Sequence, residues 1–267
     1  MDRDDEIGEL DLDRPNAARI YDYYLGGFTN FESDRAAAER QLEFSPFVRS
    51  VVWSNRAFLR RAVSYLIDQG IDQFLDLGSG VPTVGNVHEV AHELNPEARV
   101  AYVDVEPVAV AHARRLLGDD PRVTITQADL RHPQDVLSAP GVAGLLDFAR
   151  PVAVLAVSVL HFVPDDDDPV GIMASYRDSC VRGSALAVSH ISQVTVTNEQ
   201  VEAGVRLYQQ TSTPVTLRTS DGITALLDGY RLVEPGLVLL DQWRPESPAD
   251  PANAETNNSY AAVGILP

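Results

Sequence analysis

The chain has 267 residues, a single cysteine (Cys180) and a net charge of −18. That is room for one large α/β core, with no internal disulfide and no thiolate cluster for a metal. The acidic balance opposes a nucleic-acid surface, because such binding is driven by cations that neutralise phosphates. All 21 basic residues are arginine, which excludes a lysine Schiff base and a phosphate-loop lysine.

Residues 1–13 begin Met1-Asp2-Arg3-Asp4-Asp5. They lack the basic-then-apolar order of a signal peptide and are expected to be a disordered acidic N-terminus. No apolar run reaches the roughly 18 residues of a membrane span. A cytoplasmic protein without membrane contact is expected. Helix signals follow in series: Asp13 and Pro15 open a segment through Leu25, which Gly26-Gly27 closes. Ser33 caps a second segment to Phe44, and Ser45-Pro46 starts a third that runs to Gln69 and stops at Gly70. Residues 14–70 therefore form a predicted helical cap.

From Asp72 the pattern changes to short apolar runs alternating with helices, with strands over 73–77, 99–104, 122–127, 151–158 and 184–191. Continuous apolarity, as in Val152–Val157, suits strands buried on both faces and hence a parallel sheet. Tyr230–Leu240 and Tyr260–Leu266 read as two more strands flanking a polar, Pro-rich loop at 245–258, best joined antiparallel. The fold class is α/β: a Rossmann-like, mostly parallel sheet over 71–267 with an antiparallel strand near the C-terminus.

Three strand ends carry the chemistry. The first strand runs into Asp76-Leu77-Gly78-Ser79-Gly80, where the glycines let the backbone turn tightly and approach a ligand, and Pro82 suits the first turn of the next helix. The N–H groups of that helix start are expected to face the crevice beyond the strands. Asp104 ends the second strand, where a carboxylate accepts from both hydroxyls of a ribose; helix capping before Glu106-Pro107 is its plain alternative. Asp129, after the third strand, suits an adenine amino group, with the Leu130 N–H donating to the ring. Alone, it would serve equally as a loop acid.

A dinucleotide fingerprint wants a third glycine or alanine at the sixth position of the turn, where this chain has Thr83. The acid-x-Gly-x-Gly form instead resembles motif I of class I methyltransferases, with Pro82 in place of their usual final glycine. The exit of the fourth strand, Ser158–Asp165, resembles the matching segment of small-molecule methyltransferases. Arg19–Gly27, Asn55–Ala62, Gln73–Gly80 and Gly85–Val90 are similar to a bacterial family of S-adenosylmethionine-dependent methyltransferases formerly catalogued as a domain of unknown function. The resemblance implies the class I fold, S-adenosylmethionine as cofactor and S-adenosylhomocysteine as product. The cofactor-binding residues expected are Tyr23, Asp76, Gly78, Ser79, Gly80, Asp104, Val105, Asp129, Leu130 and Ser158.

Other features have rival meanings. His88-Glu89-Val90-Ala91-His92 matches a zinc-peptidase pattern. A helix with Val84, Val87, Ala91 and Leu94 packed on the sheet, however, leaves His88 at the rim of that stripe and His92 further toward solvent, so no metal is expected. The four acids Asp165–Asp168 read as a solvated loop. Tyr21, Tyr23 and Tyr24 pack the cap, and Tyr23 is nominated to face the sulfonium, with Thr29-Asn30 nearby. His161 is the candidate general base. No catalytic residue is assigned, since methyl transfer to a good nucleophile depends mainly on positioning. The expected activity is methyl transfer to a small-molecule O or N acceptor, with the cap and residues 192–219 shaping its pocket. The alternatives are a non-catalytic S-adenosylmethionine sensor or partner subunit, and an NAD(P)-dependent oxidoreductase.

Overall fold

In the computed structural model, residues 12–192, 198–209, 211–246 and 258–267 are described. The expected disordered stretch 1–13 and the loop 245–258 lie mostly outside these residues, and the 192–219 segment partly so. Three helices come first: α1 (Ala17–Tyr24), α2 (Glu32–Phe44) and α3 (Val48–Asp68). Asn16, rather than Asp13 or Pro15, caps α1 by accepting from Ala18 N at 2.8 Å. At α2 the first-turn carboxylate of Asp34 accepts from Phe31 N at 2.9 Å, while Ser33 donates to Leu12 O instead of capping.

The strands β1 (Gln73–Leu77), β2 (Arg99–Asp104), β3 (Val123–Gln127), β4 (Ala153–Val157) and β5 (Ala185–Ile191) match the predicted runs to within two residues. Helices α4 (Val87–Leu94), α5 (Pro107–Leu117), α6 (Pro133–Ser138), α7 (Pro140–Ala143) and α8 (Pro169–Asp178) lie between them. After β5 come α9 (Asn198–Tyr208), α10 (Ser220–Ala225), β6 (Arg231–Leu232), β7 (Val238–Leu239) and β8 (Ser259–Ile265).

The sheet order is β3-β2-β1-β4-β5-β8-β6, with β7 also on β8. β1 to β5 pair parallel, and β8 runs antiparallel to β5, β6 and β7. The predicted strand Tyr230–Leu240 is thus two short pieces. Pro235 has no N–H for the ladder and Gly236 turns at φ +88°, so pairing stops between them.

Alternation along the buried strands divides the core. Leu75, Val103, Val154 and Leu186 face α6, α7, α8 and α10. Phe74, Val100, Leu155 and Ala187 face α3 and α4, where Phe58, Ala62 and Leu66 pack directly on the sheet. The predicted cap therefore divides: α3 belongs to the sheet's own core, whereas α1 and α2 share a separate cluster around Ile20, Tyr24 and Ala37. Strand order reverses between β1 and β4, which opens a crevice beyond their C-terminal ends.

Candidate functional site

The crevice is framed by the exits of β1, β2 and β4. Gly78 and Gly80 hold φ +68° and +67°, a region open to glycine at little cost. A Cβ on Gly78 would stand 2.2 Å from Val159 Cγ2, so the residue is small for packing as well as for conformation. The turn is pinned to β2. Gly78 N and Ser79 N both donate to Val103 O, at 2.8 and 3.1 Å, and Gly80 N donates to Asp104 Oδ2 at 2.6 Å. This corrects the expectation of a helix start at Pro82 with its N–H groups open to the crevice. The helix begins five residues later at Val87, after the turn at Gly85, with Asn86 and Glu89 in a capping box.

Asp104 is buried and accepts from Glu106 N (2.8 Å) as well as from Gly80 N. Burial raises its pKa; the backbone donors of Glu106, Gly80 and Val105 oppose the rise. Three donors against four lone pairs leave the carboxylate one position for a ligand hydroxyl. Val105, next along, is 56% exposed. Asp76 points to the α3 side and is 7% exposed; its pKa is pushed up to about 7 by burial, with the charge of Arg56 opposing and that of Asp104 adding.

Arg56, Asp76, Ser79, Gly80, Asn86 and Tyr102 line one narrow recess. Two buried donors there, Arg56 Nε and Asn86 Nδ2, have no hydrogen-bond partner. A carboxylate beside two unsatisfied donors fits a zwitterionic group such as the amino-acid end of S-adenosylmethionine. Asn55-Arg56 and Asn86 lie in segments similar to the methyltransferase family, but no local pattern marks them for this role. Nothing in local spacing shows that a residue of α3 reaches the end of β1.

Asp129 is occupied. Both its oxygens accept from Arg131 Nε, and Arg131 N and Nη2 add further bonds, so its lone pairs are spent inside the protein. Burial pulls the Asp129 pKa up, but the Arg131 bonds and charge outweigh it and the net shift is down. Arg131 also donates to Asp167 at 2.9 Å. Leu130 is buried, and its carbonyl accepts from Tyr176 OH. Ser158, at the end of β4, sits at φ +60° with its N–H on Ser189 O at 3.1 Å. Such a left-handed serine carries roughly 1–3 kcal/mol of strain.

Tyr23 is turned away from the crevice. Ala18 and Asp22 are the α1 residues that meet the glycine turn: Ala18 Cβ stands 3.9 Å from a Cβ built on Gly80, and Asp22 Oδ1 accepts from Thr83 Oγ1 at 2.7 Å. At about 100° per residue Tyr23 falls on another face. There its hydroxyl bonds Glu39 and its ring lies under Arg49. Tyr21 points inward instead: Asn55 Nδ2 donates to its hydroxyl at 2.9 Å, and Ser189 Oγ donates to Asn55 Oδ1 at 2.6 Å. Thr29 and Asn30 are near as expected, bonded to Asp22, and Thr29 Oγ1 reaches His112.

α1 roofs the crevice. Arg19, buried, bonds Asp34 and Glu106, each at 2.9 Å, and Asn16 Nδ2 donates to Glu106 Oε2 at 2.8 Å. At the same end of α1 Ser212 N donates to Pro15 O and Ala17 N to Thr213 Oγ1, and Asn16 Nδ2 also donates to Ser212 Oγ at 3.1 Å. Both carboxylate oxygens of Glu106 thus accept from α1 or its cap.

His161 is 4% exposed, with Nδ1 unpartnered. Burial, then His190 and then the charge of Arg218 drive its pKa well below the ordinary imidazole range. His190 Nε2 takes an N–H from Arg218 at 2.9 Å, so its proton is on Nδ1, facing Ile191 O. Arg218 also donates to Leu160 O, Val163 O and Asp165. Buried Arg218 gave no signal in sequence.

The zinc-like pair is structural. His88 Nδ1 meets Tyr102 OH at 2.8 Å and His92 Nε2 meets Ala98 O at 2.9 Å. Val87, Val90 and Ala91 form the buried stripe, while Val84 and Leu94, expected in it, are exposed. Among the described residues no group of three or more His, Cys, Asp or Glu side chains is placed to hold a metal ion. Asp165 and Asp167 pair with arginines, and Asp168 accepts from Gly171 N.

The sequence profile of the S-adenosyl methyltransferases matches residues 3–267. The chain belongs to that family. A crystal structure of a putative methyltransferase from Thermobifida fusca is similar at 38% identity and TM-score 0.89, covering 96% of both chains. A protein from Streptomyces avermitilis, of a family catalogued as a domain of unknown function, is similar at 36% identity and TM-score 0.91, over 96% of this chain and 99% of that one. A 63-residue stretch is 36% identical to a ribosomal RNA small subunit methyltransferase H from Halorhodospira halophila, spanning 24% of this chain and 19% of that protein. The cofactor of this methyltransferase is S-adenosylmethionine, and the fold is that of class I methyltransferases. No described helix is long and apolar enough to cross a membrane.

Proposed function

We propose that this methyltransferase acts on a small-molecule oxygen or nitrogen acceptor. The observation that carries the small-molecule proposal is the roof: α1 is held by Glu106 and residues 212–213 at its N-terminal end and, through Asp22, by Thr83 after the glycine turn toward its C-terminal end. A crevice spanned this way suits a compact acceptor better than a polymer. The net charge of −18 opposes a phosphate backbone as well.

S-adenosylmethionine supplies an electrophilic methyl group on a sulfonium; the sulfur keeps the bonding pair when the methyl leaves, and the acceptor gives up a proton if it carries one. The chain's part is to hold and align. Asp104 accepts from a ribose hydroxyl, and the Gly78–Gly80 turn, Ser79 included, gives the cofactor close approach to backbone. Asp76, Arg56 and Asn86 hold the charged amino-acid end. Val105 supports the adenine beside Leu130, and Ser158 forms the wall toward β4. Asp129 would accept from an adenine amino group only with Arg131 released from it, and Asp167 is the second carboxylate that Arg131 already bonds. His161, neutral, offers no charged acid. Helices α1 and α2 are the cap over this site.

Two measurements test the proposal. Asp104→Ala should weaken S-adenosylhomocysteine about ten- to a hundredfold by calorimetry, at 1.4 kcal/mol per tenfold; unchanged affinity in a folded variant removes the ribose assignment. Radiolabelled S-adenosylmethionine with cell extract should label the small-molecule fraction. Label in ribosomal RNA or protein alone would refute the acceptor class, and no transfer at all would favour the sensor.

A further inference from the structure

A second cleft, of about 420 Å3, lies at the opposite, N-terminal edge of the sheet. Across strands β3, β2, β1 and β4 that edge carries, in spatial order, Arg122, Arg99, Asp72 and Arg150. β2 and β3 pair in register from Val100 opposite Val123, and Val100 N donates to Arg122 O at 2.9 Å. Arg99 and Arg122 are therefore direct cross-strand neighbours, on strands about 4.8 Å apart. Like charges so placed repel. Arg122 is partly relieved by Asp120, which takes its Nε and Nη2 at 2.9 and 2.6 Å while Nη1 donates to Pro96 O at 2.5 Å, and Arg150 by Asp72 at 2.7 Å. Arg99 has no carboxylate within ion-pair distance among the described residues; its one bond is from Nη1 to Leu145 O at 3.1 Å. The other N–H groups of its guanidinium remain for a ligand. Glu97 is the remaining acid of the lining.

We propose that this cleft is an anion site for a phosphoryl group, with Arg99 as its central ligand and Arg122 and Arg150 beside it. A tetrahedral dianion set beside Arg99 and Arg122 offsets their mutual repulsion and takes the paired N–H groups that the Arg99 guanidinium has free for phosphate. The volume admits a nucleotide as well as a free phosphate or diphosphate. The site stands apart from the cofactor crevice and does not depend on the methyltransferase assignment.

The test is calorimetric titration of the full chain with inorganic pyrophosphate at low salt, in saturating S-adenosylhomocysteine. One site with a sub-millimolar Kd is expected. Arg99→Gln and Arg122→Gln should each weaken it at least tenfold, and Glu97→Gln should tighten it. Arg60→Gln, on the far exposed pair with Glu93, should leave it unchanged. ADP as a second arm distinguishes the sources: tighter binding than pyrophosphate assigns a nucleotide, and equal binding a phosphoryl group alone. Absence of binding, or binding that survives Arg99→Gln with an unchanged melting temperature, would overturn the site. A short RNA that binds far tighter than either probe, and loses that binding in Arg99→Gln, would overturn its small-molecule character.

Discussion

Asp76→Asn should stabilise the free protein and weaken its cofactor at the same time. The Asp76 carboxyl is buried, and its pKa stands near 7 against an ordinary 3.8. Below about pH 4 it is protonated in folded and unfolded chains alike, and its burial costs nothing in ionisation. Between 4 and 7 the unfolded chain ionises while the folded one holds its proton, so this group's contribution falls by 1.36 kcal/mol per pH unit. Above 7 both states are ionised, and the loss levels off at about 4 kcal/mol. Asparagine removes the titration but leaves Arg56 without its neighbouring charge, which returns part of the gain. The gain from Asp76→Asn should therefore be about 2 kcal/mol larger at pH 8.5 than at pH 5.5, from the stretch between 5.5 and 7. Urea unfolding followed by tryptophan fluorescence at the two pH values measures it. S-adenosylhomocysteine should bind the variant at least tenfold more weakly at pH 8.5. An equal change at both pH values, or destabilisation at both, would refute burial as the cause of the raised pKa.

Gly78→Ala places a Cβ 2.2 Å from Val159 Cγ2 in a left-handed backbone. It should cost about 2–4 kcal/mol and S-adenosylhomocysteine affinity together, seen as a lower melting temperature and a weaker Kd; a wild-type melt would contradict the packing. Arg19→Met removes a buried cation from between Asp34 and Glu106. Stripping one partner from a buried pair costs about 3–5 kcal/mol, and proteolysis within the first 31 residues should become faster; an unchanged melting curve would show that the roof does not depend on this ion network. The His161 imidazole should titrate well below an ordinary histidine in histidine NMR spectra, because burial, His190 and Arg218 disfavour its cation. A titration midpoint in the ordinary imidazole range would restore it as a conventional general base.

The sheet was legible because its signals are local. Apolar runs such as Val152–Val157, the glycine turn and the acids at strand ends are set by periodicity and backbone sterics, and these do not wait for tertiary contacts. Cap helices α1 and α2 were legible for the same reason. Side-chain orientation was not legible, whether the deciding partner lies two residues away or thirty. Tyr23 and Tyr21 are two residues apart, and only the packing of α1 on the glycine turn decides which faces inward. Asp129 looks available until Arg131 is seen folded back on it. Pro82 appeared to begin a helix, yet Gly85 and the Asn86–Glu89 box set its start.

Residue type and short-range pattern dictate the α/β order of elements, the strand-end acids and the absence of lysine chemistry. Tertiary structure alone decided that Arg56 and Asn86 meet Asp76, that Glu106 serves the roof, and that Arg99 and Arg122 stand side by side. Those juxtapositions arise from strand register and helix packing between residues some 10 to 90 positions apart, and no local pattern encodes them.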